Sequence, residues 1–214
     1  ASENPVEESL WVEAAEEADR LGVDIITTSL GYFGYDISAY SHTYNDMNGT
    51  SNFISRGAEM AFGKGMIVVA SAGNEGNESE KHIGGPADAV SVITVGSVTA
   101  SKIKSDFSSI GPSFDGRIKP DVMAQGSLAV VSDVSGNIGV SSGTSFSCPI
   151  MAGMIACLWQ AFPNKTNQEI RQMILQSSDK FSNPDNNYGY GIPNFSSALG
   201  IESFKNTDFT VYPN

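Results

Sequence analysis

A serine beside a glycine, at the start of an apolar helix pattern, is the strongest chemical signal in this sequence. Residues 143–149 read Gly-Thr-Ser-Phe-Ser-Cys-Pro, and a run of small and apolar residues follows over 150–159. The pattern places Ser145 at a helix N-terminus, where unpaired N–H groups and the helix dipole favour developing negative charge. Pro149 falls in or just past the first turn, which agrees with a helix start. The position suits a nucleophilic hydroxyl, although an ordinary helix-capping serine has the same local pattern.

Taken whole, the heptapeptide resembles the nucleophile signature of the subtilisin-like serine proteases, in which Gly-Thr-Ser and a later Pro occupy fixed positions. The resemblance implies that Ser145 is the nucleophile and forms an acyl-enzyme with a peptide carbonyl. Residues 68–76, which read Val-Val-Ala-Ser-Ala-Gly-Asn-Glu-Gly, resemble the family's oxyanion-hole segment. By that resemblance Asn74 donates a hydrogen bond to the tetrahedral oxyanion, while a simple turn after a strand is the local alternative.

Further segments resemble the parts of the family that hold the substrate. Residues 29–31 resemble the segment that pairs main chain to main chain with an extended peptide, a mode that tolerates many sequences. Residues 83–86 resemble the segment that lines the pocket for the residue before the scissile bond, and a glycine at its base implies a large apolar or permissive preference. The predicted substrate-binding residues are Ser29, Leu30, Gly31, Ala72, Gly73, Gly84 and Thr144.

The family's catalytic aspartate and histidine motifs are absent from the sequence. Triads of this family occur in the order Asp, His, Ser, and the two histidines, His42 and His82, lie in segments that the resemblance assigns to other roles. The general base and its orienting carboxylate are therefore expected outside this chain. Residues 1–200 then correspond to the carboxyl-terminal two thirds or so of a catalytic domain. We expect the isolated chain to be inactive, with the amino-terminal part of the same domain as its partner.

Three other functional classes fit the sequence less well. A catalytically dead α/β binding module would retain the scaffold, but it would require neither Ser145 nor Asn74. Residues 139–143 match the G-x-S-x-G elbow of α/β-hydrolases, yet that fold needs a histidine after the serine and none follows His82. A nucleotide-binding sheet would need a G-x-G-x-x-G motif or a P-loop, and the sequence contains neither.

Alternating strand and helix patterns predict the scaffold that positions these residues. Strands are predicted at 23–30, 66–71, 90–98 and 128–134, and helices at 5–21, 52–63, 145–162 and 167–177. Residues 118–124 are assigned a structural role. The first helix is predicted to bury an apolar stripe made of Val6, Leu10, Ala14, Ala18 and Leu21. The order predicts an α/β fold with a doubly wound, mostly parallel sheet and helices on both faces, whose sites lie at the carboxyl ends of the strands.

The composition and net charge of the chain limit the kinds of molecule that it is expected to bind. The 214 residues can bury one sizeable core, and twelve basic against twenty-four acidic side chains give a net charge of −12. That charge argues against nucleic-acid binding. Polypeptide substrates are expected as partners because the family resemblance implies them. No apolar run approaches the roughly 18 residues that a membrane helix needs. Cys148 and Cys157 lie about 13 Å apart on one predicted helix, too far for a disulfide, so two free, mostly buried thiols are expected.

The end of the chain bears on localisation. Residues 209–214 resemble the opening of the sorting domain that sends Bacteroidetes proteins through the type IX secretion machinery, so residues 201–214 are predicted to form a tail outside the catalytic domain. Together with the family resemblance, this predicts a secreted or cell-surface protein. No cofactor is expected. Many relatives bind calcium, and residues 46–49 and 185–187 offer oxygen atoms, but neither has a complete ligand spacing and no metal site is assigned.

Overall fold

A sheet of four parallel strands runs through the centre of the protein. The computed structural model describes residues 3–200, so the predicted tail over 201–214 lies outside the described residues. The strands are β1 (Ile25–Thr28), β2 (Ile67–Ser71), β3 (Ile93–Val98) and β4 (Val122–Gln125), and they are hydrogen-bonded in that order. Since all four are parallel, their carboxyl ends lie at one edge of the sheet.

Helices cover both faces of this sheet, as the sequence predicts. The helices are α1 (Val6–Leu21), α2 (Phe53–Gly63), α3 (Thr144–Ala161), α4 (Asn167–Ser177) and the short α5 (Phe195–Ala198). Strand side chains alternate between the faces, so Val68 and Ala70 pack in the cluster with α1 and α2, whereas Ile67 and Val69 pack with α3 and α4. The predicted doubly wound α/β architecture is confirmed.

The fourth strand of the sheet is not the one predicted. The segment predicted at 128–134 forms β5 (Ala129–Ser132), which pairs antiparallel with β6 (Ile138–Ser141) in a separate hairpin. The fourth parallel strand is β4, which lies in a glycine- and proline-rich stretch where no strand was predicted. A buried ion pair secures its start, because Lys119 Nζ lies 2.7 Å from Asp121 Oδ2 and the same oxygen accepts from the main-chain N–H of Thr94. The hydrogen bond to Thr94 spans 27 residues, and a pairing of that range leaves no trace in local hydrophobicity.

The predicted apolar stripe of α1 is also wrong. Val6, Leu10 and Leu21 are each more than half exposed, and the helix instead buries the face that carries Glu8, Trp11 and Ala15. A glutamate occupies the buried face because its carboxylate accepts three hydrogen bonds. One comes from Tyr35, one from the main-chain N–H of Ile54 at the start of α2 (2.9 Å) and one from Nε2 of His42 (2.7 Å). Periodicity alone treats a glutamate as a surface residue and therefore selects the other face.

The two cysteines differ in burial. Both are free thiols, as expected, but only Cys148 is buried, whereas Cys157 lies exposed on the outer side of α3. The expectation of two mostly buried thiols is therefore wrong for Cys157. This outer side also exposes Ile150 (47%) and Met154 (40%), although α3 is apolar on every side.

Candidate active site

Ser145 is the second residue of α3, and the helix places it beside the carboxyl ends of β1 and β2. As the second helical residue it has no carbonyl one turn earlier within the helix to accept its main-chain N–H. That N–H is available to an oxygen placed at the helix N-terminus, where the helix dipole also favours negative charge. The predicted position of Ser145 at a helix start is confirmed.

A hydrogen bond from the end of β1 compensates for the proline inside α3. Pro149 has no N–H, so it cannot donate to the carbonyl of Ser145 four residues earlier. The hydroxyl of Ser29 donates to that carbonyl instead, over 3.1 Å. The residue that follows β1 is thereby tied directly to the candidate nucleophile.

The side chain of Asn74 is held in one orientation by Thr144. Its Oδ1 accepts from the main-chain N–H of Thr144 at 2.9 Å and lies 3.1 Å from the Thr144 hydroxyl. The same hydroxyl accepts from the N–H of Gly73 at 3.2 Å. Because Oδ1 faces the N–H of Thr144, Nδ2 lies on the other side of the amide, 3.8 Å from the position that a Cβ would take at Gly143.

The candidate residues line one cleft of about 420 Å³. Its walls are the segments after β1 and after β2, and they are joined by an exchange of main-chain hydrogen bonds in which Tyr32 and Gly85 each donate to the other (2.8 and 3.2 Å). All nine residues named from the sequence lie along it: Ser29, Leu30, Gly31, Ala72, Gly73, Asn74, Gly84, Thr144 and Ser145. Their roles in binding and catalysis stay predictions. Thr144 is fully buried, so its side chain contributes chiefly by holding Gly73 and Asn74.

Gly84 is closely confined where it lines this cleft. A Cβ at this position would lie 3.1 Å from the carbonyl oxygen of Tyr32 and 3.7 Å from Cβ of Phe33. The absence of a side chain therefore leaves the cleft open and also allows the close approach of the Tyr32 main chain.

Neither histidine is hydrogen-bonded to the hydroxyl of Ser145. His42 does not line the cleft and is bound to Glu8, whose hydrogen bond raises the pKa of the imidazole. His82 does line the cleft, but its ring stacks on Tyr44 with 4.2 Å between centroids, and its Nδ1 is buried without a partner in the described part of the chain. The described residues thus contain no histidine placed as a general base for Ser145.

Cys148 is not placed to act as a nucleophile. Its thiol is buried within α3 and lies 3.5 Å from the carbonyl oxygens of both Thr28 and Val69. Burial raises the pKa of this thiol, which disfavours the reactive thiolate. The packing role expected for a buried cysteine fits these contacts.

Sequence reasoning missed an acidic part of the cleft. Glu3, Glu75, Glu78 and Glu80 all line it, together with Tyr32 and Phe33. The signal was present, because Glu75 directly follows Asn74 and two further glutamates come within the next five residues. It was overlooked because charged loop residues are usually solvated surface positions.

The described residues 3–200 contain no group of three or more His, Cys, Asp or Glu side chains that could hold a metal ion. The two segments considered for calcium use their carboxylates locally. Asp46 accepts from the main-chain N–H of Thr43, and Asp185 accepts from that of Asn187 and pairs with Lys180. The expectation of no assigned metal stays a prediction. None of the helices in this part of the chain has the length and apolar character needed to cross a bilayer.

Comparison with known proteins identifies related chains. A model of the subtilase family matches residues 1–191. Serine protease AprX of Bacillus subtilis (strain 168) is 32% identical over 194 residues, covering 80% of this chain and 42% of the relative. Subtilisin DY of Bacillus licheniformis is 31% identical over 192 residues, covering 89% of this chain and 62% of the relative. The chain therefore spans less than two thirds of the length of either relative.

Solved structures give the same picture of the fold. The prenylagaramide maturation protease PagA superposes with a TM-score of 0.72 at 21% identity, over 91% of this chain and 67% of that one. The patellamide maturation protease PatA superposes with a TM-score of 0.70 at 25% identity, over 89% of this chain and 66% of that one.

Proposed function

We propose, because this chain belongs to the subtilase family, that it is part of a serine endopeptidase that hydrolyses peptide bonds through an acyl-enzyme on Ser145. One observation supports this proposal above the others. The main-chain N–H of Thr144 holds Oδ1 of Asn74 at 2.9 Å, so the amide donor faces the helix N-terminus at which Ser145 lies. A scaffold that only bound ligands would not need an oriented donor beside a serine.

In the proposed mechanism Oγ of Ser145 forms a bond to the substrate carbonyl carbon while a histidine takes the hydroxyl proton. The negative charge that develops on the carbonyl oxygen accepts hydrogen bonds from the N–H of Ser145 and from Nδ2 of Asn74. The carbon–nitrogen bond then breaks and the amine leaves with that proton. Water hydrolyses the resulting ester by the reverse sequence and restores the serine. Residues 29–31 hold the substrate main chain along the cleft.

The catalytic histidine and aspartate are proposed to come from the amino-terminal part of the same domain. Two exposed features support a missing neighbour. β1 ends the sheet among the described strands, which leaves an unpaired strand edge, whereas parallel strands are usually covered. The helix α3 is apolar on every side yet exposes Ile150, Met154 and Cys157, and an all-apolar helix is ordinarily buried. Polypeptide packed on these surfaces would complete the domain.

We propose a secreted or cell-surface location, supported by the family and by the resemblance of residues 209–214 to a secretion signal. A second candidate function is a catalytically dead binding module with the same cleft. The observation that favours it is that neither described histidine reaches Ser145.

A fluorophosphonate probe distinguishes these functions, because it labels only an activated serine. We expect weak labelling of the 214-residue chain alone and strong labelling at Ser145 once the amino-terminal part is supplied, either in one chain or as a separate piece. Ser145→Ala in the complete domain is the control and should abolish labelling. An unlabelled complete domain would favour the binding module.

Strong labelling of the isolated chain would instead mean that a base lies within it. His82 would then be the candidate because it lines the cleft, and His82→Gln should abolish the signal while His42→Gln should not.

A further inference from the structure

The walls of the cleft carry several carboxylates and, apart from His82, no basic side chain. Glu3, Glu75, Glu78 and Glu80 line it, whereas no lysine or arginine does. None of these four glutamates belongs to an ion pair within residues 3–200, where the paired acids all lie elsewhere. The cleft therefore concentrates negative charge that the protein does not itself neutralise.

One of these carboxylates is held in place beside the reaction centre. The hydroxyl of Ser109 accepts from the main-chain N–H of Glu75 at 3.0 Å and donates to its Oε2 at 2.8 Å. The same oxygen packs so closely over Gly73 that a Cβ there would collide with it. Gly73 thus admits the carboxylate to the wall of the cleft, next to Asn74.

The shape and charge of the cleft together select a class of side chain. A long side chain can enter because Gly84 has no side chain at the base. An apolar occupant would remove water from the carboxylates without replacing its hydrogen bonds, and an acidic occupant would be repelled. The stem of a lysine or arginine can lie along the apolar walls while its charged end meets the glutamates.

We infer that this cleft binds a lysine or arginine side chain immediately before the scissile bond, so that the substrates are polypeptides cleaved after basic residues. The inference rests on the proposed function and narrows the large apolar or permissive preference that Gly84 implies. Glu75, Glu78 and Glu80, which belong to the segment after β2 that also carries Asn74, are the specificity-determining residues.

The test uses the complete catalytic domain and four peptide substrates that differ only before the cleavage site. Lysine is compared with norleucine, which keeps the stem without the charge, and arginine with citrulline, its uncharged analogue. We expect kcat/KM to be about tenfold or more higher for each charged residue, and this ratio to fall as sodium chloride is raised. Equal rates for the charged and uncharged members of each pair would overturn the inference.

Variants assign the effect to the glutamates. Glu75→Gln, Glu78→Gln and Glu80→Gln should each reduce the ratio of lysine to norleucine hydrolysis, and the triple variant should bring it close to one. Glu13→Gln, an exposed position on α1 away from the cleft, is the matched control and should leave the ratio unchanged. A ratio unaffected by the triple variant would also overturn the inference.

The failure of this inference is distinguishable from that of the proposed function. Fluorophosphonate labelling at Ser145 combined with no preference for basic residues would overturn the inference alone. A complete domain that is neither labelled nor able to cleave any of the four peptides would overturn both.

Discussion

The hydroxyl of Ser29 donates a 3.1 Å hydrogen bond to the main-chain carbonyl of Ser145, a carbonyl that Pro149 leaves without its helical partner. These two serines are 116 residues apart in the chain. The bond joins the substrate-binding segment after β1 to the first turn of the helix that carries the candidate nucleophile. A substitution of Ser29 should therefore alter the position of Ser145.

Ser29→Ala should remove the hydroxyl donor from that carbonyl and allow the first turn of α3 to shift. We expect a loss of about 1 kcal/mol in the free energy of unfolding and a several-fold lower kcat in the complete domain. Urea unfolding and peptide hydrolysis measure the two effects. Ser29→Thr keeps the hydroxyl and is the control. Alanine and threonine variants with equal kcat would show that the bond does not position Ser145.

Asn74→Ala should lower kcat far more than it raises KM, because the amide donor acts as charge develops on the oxygen. The expected loss is about 10²–10³, a magnitude established on subtilisin itself. Alanine also removes the acceptor for Thr144, so Asn74→Asp is the matched control: it keeps an oxygen for that N–H but has no donor. Both variants should lose kcat, and a change confined to KM would contradict the oxyanion role.

Gly84→Ala should shift the preference before the scissile bond toward shorter side chains. The added Cβ would lie 3.1 Å from the carbonyl oxygen of Tyr32, so the base of the cleft must either narrow or move. Valine would press further on the same main chain, which makes alanine the clearer test. Substrate profiling measures the shift, with Gly63→Ala as a control because a Cβ there meets nothing within 4 Å. An unchanged profile would show that Gly84 does not line this pocket.

The pair formed by buried Glu8 and half-buried His42 should make stability depend on pH. The hydrogen bond to Glu8 raises the pKa of His42 above 6.5. The contribution of His42 to the free energy of unfolding is therefore complete below about pH 6.5, and it is lost as the pH rises through the raised pKa. Burial alone would raise the pKa of Glu8, but hydrogen bonds from His42, Tyr35 and Ile54 lower it below 4.5, so its contribution is lost on acidification. The pair should stabilise the fold most between about pH 4.5 and 6.5.

Urea unfolding of the complete domain at several pH values tests this predicted pH dependence of the Glu8–His42 contribution. The difference in unfolding free energy between the wild type and His42→Gln should be largest near pH 5.5 and should shrink above neutrality. Lys64→Gln, which removes an exposed pair with Asp19, is the control and should show little dependence on pH. A difference that grows as pH rises would contradict the direction of the His42 shift.

Local pattern was sufficient for much of the fold. Strand β2 and helices α2 and α4 were predicted within one or two residues, because each combines a clear hydrophobic period with glycine or polar boundaries. The start of α3 was also predicted within one residue, because a glycine precedes Thr144 and an apolar run follows Ser145. The positions of Ser145 and Asn74 after such elements were therefore readable from the chain alone.

Tertiary structure decided which of these elements meet. β4 joins the sheet where Oδ2 of Asp121 accepts from the main-chain N–H of Thr94, 27 residues earlier, and α1 turns Glu8 inward because Tyr35, His42 and the N-terminus of α2 supply its donors. Both are contacts between residues far apart in the chain, and each reverses what hydrophobicity alone favours. The hydrogen bonds between Ser109 and Glu75 join residues that are 34 positions apart. They hold a carboxylate in the cleft, and no local sequence pattern indicates that position. The sequence by itself determined most of the elements and the chemistry they carry, since both depend on neighbouring residues. The pairing of those elements depends on where buried polar groups find partners, which only the folded chain decides.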